Sequence, residues 1–145
     1  MKISDLILEM EMFKISMENK GDDNNRIYQK IDELCGTLKN NEYFKDEYYN
    51  FRDISDMIKD ILNNTDSVKK SDLDFILLLL DDFINIISHK NRLIENNEFS
   101  PLKFSSEYNT YLTRFNKSKA YYYENIFGQS IDDELFIEYS NILLG

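Results

Sequence analysis

The chain of 145 residues is 42% hydrophobic and 30% charged, enough apolar material for a single domain, 1–145, to build a core that folds alone. Seventeen lysines and arginines against 27 aspartates and glutamates leave a formal charge of -10, which repels phosphates and anionic lipid and argues against direct nucleic-acid or membrane binding. One cysteine, one histidine and no tryptophan exclude an internal disulfide, a cluster of soft metal ligands, and any Ser-His-Asp relay not built on His89.

Acidic residues at Asp5, Glu9 and Glu11 interrupt the first turns, so no apolar stretch of signal-peptide type is present there and a cytoplasmic location is expected. The longest apolar run, Phe75 to Leu80, falls well short of the roughly 20 residues that span a bilayer. Sixteen asparagines, 17 isoleucines and 13 lysines stand against one alanine and one valine, a bias in the direction of AT-rich coding, so the asparagines carry little weight as functional signals.

With one proline and four glycines, punctuation is sparse and the pattern reads as helices throughout. The first runs from an N-cap at Ser4 to Lys20, with Ile3, Leu6, Met10, Phe13 and Met17 on one stripe and Gly21 ending it. The second spans about Asn24 to Leu38 and buries Ile27, Ile31, Leu34, Cys35 and Leu38. The third, about Glu42 to Leu62, buries Phe44, Tyr48, Phe51, Ile54, Ile58 and Ile61 or Leu62.

The fourth opens with a capping box at Ser71, Asp74 standing at its third position, and runs over about 71–92. Its apolar residues nearly encircle the axis, which makes it the central helix of the bundle. Ser100 and Pro101 start the fifth as N-cap and first helical residue; it extends toward Gly128, with a break allowed near Asn116 to Ser118. Ser130 repeats the capping pattern and starts a short sixth helix through Leu135, Phe136, Tyr139, Ile142 and Leu143. The expected fold is an all-α bundle of about six helices, with no repeat.

Catalytic constellations are hard to find. The sequence holds no glycine-rich phosphate loop, no His-Glu-x-x-His and no calcium loop. The residue three before His89 is Ile86 where a ferritin-like site wants Glu, and positions 82 to 84 lack the arginine of a helical ribonuclease. His89 is expected to cap a carbonyl near a helix end, and Cys35 to be a small buried side chain. Asp53, Asp56, Asp81 and Asp82 are the carboxylates a divalent-metal helical hydrolase would use. Arg114, Lys117 and Lys119 ahead of Tyr121 to Tyr123 form a weak basic and aromatic patch of the kind that stacks single-stranded RNA, with the net charge against it. No cofactor and no metal site is expected.

One surface stands out. Glu42, Asp46, Tyr49, Asp53, Asp56 and Asp60 recur at spacings of 4, 3, 4, 3 and 4. At 100° and 1.5 Å per residue they fall within about 80° of arc over roughly 27 Å, opposite Phe44, Phe51 and Ile58. The stripe is expected to face away from the core as a partner-binding surface: aligned carboxylates repel one another, and a cationic protein would relieve that repulsion while tyrosine supplies rigid contact area. Tyrosines cluster at 43, 48, 49 and 121 to 123, and three in a row on a helix cannot all point inward.

Asp46-Glu47-Tyr48-Tyr49, followed by Asp53 and Asp56, resembles in kind the acidic helical surface with paired tyrosines of small bacterial immunity proteins, which bind and block cationic nuclease toxins. The similarity covers eleven residues and lacks the proline that follows the tyrosine pair in the colicin DNase immunity family; the chain is also longer than those four-helix proteins. Immunity proteins of contact-dependent inhibition systems vary more in fold and length. The resemblance implies a non-catalytic bacterial inhibitor whose third helix occludes a basic nuclease toxin. A phage-encoded inhibitor of a nucleic-acid-binding defence enzyme would use the same physics, and a metal-dependent hydrolase is the enzymatic alternative.

Overall fold

The computed structural model describes residues 2–18 and 24–145. Among them are six α-helices and no strand: α1 (Ile3–Glu18), α2 (Asn24–Lys39), α3 (Lys45–Asn63), α4 (Lys70–Glu95), α5 (Pro101–Asn125) and α6 (Asp133–Leu144). The expected end of the first helix at Lys20 and Gly21 lies outside the described residues. The remaining ends are set by local chemistry. Ser100 accepts a hydrogen bond from the Lys103 amide at 3.5 Å with Pro101 next to it, as the sequence implies.

Three other caps differ from expectation: Ser4 lies inside α1, which begins at Ile3 with the Lys2 carbonyl accepting from the Leu6 amide at 3.1 Å. The α4 N-cap is Lys69, whose amide donates to Asp72 Oδ2 at 3.0 Å, because the Ser71 hydroxyl is drawn instead to the Ile131 carbonyl 2.8 Å away. At α6 the cap is Asp132, two residues after Ser130, accepting from the Leu135 amide at 2.8 Å. Helix α3 begins at Lys45, so Glu42 sits on the preceding turn rather than in the helix.

One contiguous core draws on all six helices. The five stripe residues of α1 are all buried, as are Ile27, Ile31, Leu34 and Leu38 of α2, while Cys35 is only half-buried and Tyr48 of α3 likewise. Helix α4 packs against α1, α3, α5 and α6, while α2 packs closely against α1 and α3. Near its N-terminus α4 packs on aromatic rings: Phe75 stacks on Tyr122 of α5 at 5.6 Å and tilts against Tyr139 of α6 at 4.9 Å, both rings fully buried. Helix α5 runs unbroken through 116–118, because the buried Ser118 hydroxyl satisfies itself on the Phe115 carbonyl at 2.7 Å and on Tyr139 at 3.2 Å. No described helix is long and apolar enough to cross a membrane.

Candidate functional site

The stripe on α3 does not stand free in solvent. Helix α5 lies alongside it, and the two helices meet through long side chains without close backbone packing. The bridges recur along the seam. Tyr108 donates to the Asp46 carbonyl at 3.5 Å, Asn50 Nδ2 to the Tyr111 hydroxyl at 2.9 Å, and Lys119 Nζ pairs with Asp53 Oδ2 at 3.1 Å. At the far end the Tyr122 hydroxyl donates to Asp60, whose Oδ2 also accepts the Gly128 amide at 3.2 Å. Gly128 holds φ +82°, a left-handed turn that glycine adopts without strain and that brings its N-H to Asp60 after α5 ends.

The expected outward stripe is therefore corrected. Asp53 and Asp60 are half-buried and committed to α5; Asp46, Asp56 and Glu42 remain exposed, and Tyr49 is 57% exposed. The helical wheel places these residues opposite their own core but carries no information on which helix lies beside them. Arg52 sits over the Tyr49 ring at 5.4 Å, and Lys59, on the same flank of the stripe, pairs with Asp32 of α2 at 2.7 Å.

What α5 adds is aromatic. Tyr123 and Phe127, 45% and 57% exposed, lie 5.3 Å apart ring to ring. Tyr123 and Phe127 lie between the Tyr122 hydroxyl and the Gly128 amide that both reach Asp60, and partial burial, then the fields of Asp56, Asp53 and Asp60, push the Tyr123 hydroxyl above its ordinary range. The candidate site is thus a two-helix face: carboxylates of α3 between Tyr49 on one side and Tyr123 with Phe127 on the other. The tyrosine cluster at 121 to 123 signalled the exposed ring; Phe127 carried no such signal.

Between the first half of α3 and α5 the seam opens into a groove of about 540 Å³. Asp46, Tyr49 and Asp53 form one wall, Tyr108 and Leu112 the other, with Glu47 and Lys90 at the base. Glu47 is 1% exposed and Lys90 7%; Lys90 Nζ lies 2.8 Å from Glu47 Oε1 and also donates to the Tyr43 carbonyl. The ammonium is caged by aromatic rings, 4.8 Å from the Phe44 centroid, 5.1 Å from Phe104 and 5.7 Å from Phe99. Glu47 Oε2 has no hydrogen-bond partner among the described residues, a buried orphan worth about 1–3 kcal/mol in other proteins. Burial pushes the Glu47 carboxyl above the usual range, opposed by the hydrogen bond and charge of Lys90. Sequence analysis missed this pair, although Glu47 falls three residues after Phe44 and Lys90 three after Ile87, both in phase with the core.

The remaining candidates disperse. Asp81 pairs with Lys14 of α1, while Asp53 faces α5, so the four carboxylates of the hydrolase reading do not converge. Among the described residues no three of His, Cys, Asp and Glu are grouped to hold a metal. His89 lies in the body of α4, which continues to Glu95, and its Nε2 is 2.6 Å from Glu107 Oε2 on α5 rather than at a helix-end carbonyl. Burial pushes the Cys35 thiol up, which disfavours the thiolate. Of the basic patch, Lys119 is paired with Asp53 and Arg114 donates to the Leu143 carbonyl of α6 at 3.1 Å, leaving Lys117 exposed. No known family model, curated protein or solved structure matches the chain.

Proposed function

We propose that the α3–α5 face binds a cationic protein and neutralises it without chemistry, as an immunity protein does to a nuclease toxin in the bacterial cytoplasm. The observation that carries this reading is the pairing of exposed rings with aligned acid: Tyr49, Tyr123 and Phe127 flank Asp53, Asp56 and Asp60 on one surface. Interfaces concentrate their binding energy in aromatic residues that lose water on docking, while surrounding charges set approach speed and register. An acidic face on a chain of net charge -10 steers a basic nuclease toward it and repels the nucleic acid that competes for the same toxin.

The test is affinity capture of the tagged protein from its native cells at low and at high salt, with mass spectrometry of what elutes. The expected result is one stoichiometric cationic protein that is lost when Tyr123 and Phe127 are both replaced by serine, two exposed positions whose change spares the core. Capture of nothing, or of a partner indifferent to those changes, contradicts the reading.

A further inference from the structure

We infer that Asp60 is a positioning residue: it clasps the turn after α5 and so fixes the exposed Phe127 ring against Tyr123 in the pattern a partner meets. The inference rests on the reading of the face given above and gives one of its carboxylates a role apart from the others. Asp60 stands in the last turn of α3, which holds no basic residue and where a carboxylate opposes the helix dipole. Three donors compensate. Its Oδ1 accepts the Asn64 side-chain amide at 2.8 Å, and its Oδ2 accepts the Tyr122 hydroxyl together with the Gly128 amide, the latter at 3.2 Å. Half-buried and with both oxygens engaged, Asp60 is turned to its own chain, whereas Asp56, one turn earlier, stays exposed.

The turn closes mostly on itself. The Ile126 and Phe127 amides both donate to the Tyr122 carbonyl, at 2.8 and 2.9 Å, and the Gln129 amide donates to the Ile126 carbonyl at 3.1 Å, all within α5 and its own turn. The Gly128 amide is the group that crosses to α3. Phe127 comes immediately before it and past the end of α5, so helix geometry does not fix this ring. It rests on Tyr123 at 5.3 Å and on the edge of Tyr122 at 6.5 Å. A single Asp60 oxygen thus holds the residue before Tyr123 and the residue after Phe127, bracketing the aromatic pair. Rings held in place before docking give up less conformational freedom on docking, and the loss of such preorganisation is read in dissociation more than in approach.

The experiment compares Asp60→Ala with Asp60→Asn in the full chain. Both remove one negative charge, and only asparagine keeps an oxygen able to accept from Tyr122 and Gly128. In the free protein, followed by nuclear magnetic resonance, Asp60→Ala should speed hydrogen exchange of the Gly128 amide about tenfold or more and weaken the Phe127–Tyr123 ring cross-peaks, with α1 and α2 amides unchanged and Asp60→Asn close to wild type. Against the captured partner the two variants, equal in charge, should associate at the same rate, while Asp60→Ala dissociates about fivefold or more faster. Should Asp60→Ala fail to fold, Tyr122→Phe keeps every charge and the buried ring but removes one donor from the clasp, and it should speed Gly128 exchange in the same direction. Wild-type exchange at Gly128, or alanine and asparagine variants that behave alike in exchange or in dissociation, each overturn the assignment. A partner indifferent to Tyr123 and Phe127 removes the reading of the face, whereas unchanged Gly128 exchange removes the clasp alone.

Discussion

Helix α5 has two seams of opposite character. Against α6 and α4 it packs closely, with Tyr122 and Tyr139 clasping Phe75 and the Ser118 hydroxyl sealed between them. Against α3 it stands off, bridged by Tyr108, Tyr111, Lys119 and Tyr122 reaching across. The first seam is core. The second is bridged by polar side chains along its length and opens into a groove over the first half of α3, so the same helix that completes the bundle also forms half of a surface fit for a partner. A face made by two helices held through side-chain bridges is rigid enough to present its rings in a fixed pattern, which a lone amphipathic helix in solvent is not.

That contrast can be broken from either side. Phe75→Ala should be the largest insult, removing a fully buried ring shared by three helices and costing about 3–5 kcal/mol, read from urea unfolding. Lys90→Met should cost about 3 kcal/mol because it strands the buried Glu47 carboxylate, and adding Glu47→Gln should restore most of that loss. If the single and the double variants are equally unstable, the ion pair is not what holds the base of the groove.

Alkali gives an intermediate effect. Burial raises the hydroxyls of Tyr108, Tyr111, Tyr122 and Tyr139 above their ordinary range. A group whose folded pKa exceeds its unfolded one stabilises the fold fully below the unfolded value, about 10 for tyrosine, and loses that contribution as pH rises toward the folded values. Phenolate absorbance should therefore show a step that coincides with loss of helical circular dichroism, and a gradual rise with helices intact would contradict the burial of these rings. The smallest effect belongs to the open seam: Lys119→Met breaks a half-exposed pair with Asp53 and should change stability by under about 1 kcal/mol.

The helices were legible because their apolar residues keep helical phase: the α1 stripe from Ile3 to Met17 is buried residue for residue. Caps were less so, since a run such as Lys69-Lys70-Ser71-Asp72 offers several residues able to cap, and the choice fell to the distant carbonyl that claimed Ser71. The acidic stripe was readable as an angle on α3 but not as a seam, because periodicity within one helix says nothing of a neighbour 60 residues away. Phe127 lies beyond the end of α5, where no periodicity applies. Glu47 and Lys90 could have been flagged: two charged residues at core phase on different helices are each costly alone and stable only as a pair.

The most direct test of the central claim is the association rate of the captured partner with wild-type protein and with the Glu42→Lys, Asp56→Lys double variant across a range of ionic strength. Both carboxylates are exposed and neither is hydrogen-bonded or ion-paired among the described residues, so reversal changes the field of the face and leaves the bundle alone. An electrostatically steered face predicts association slowed about tenfold or more at low salt, with a flatter salt dependence and unchanged thermal stability. Equal rates for the two proteins at every salt concentration would contradict it.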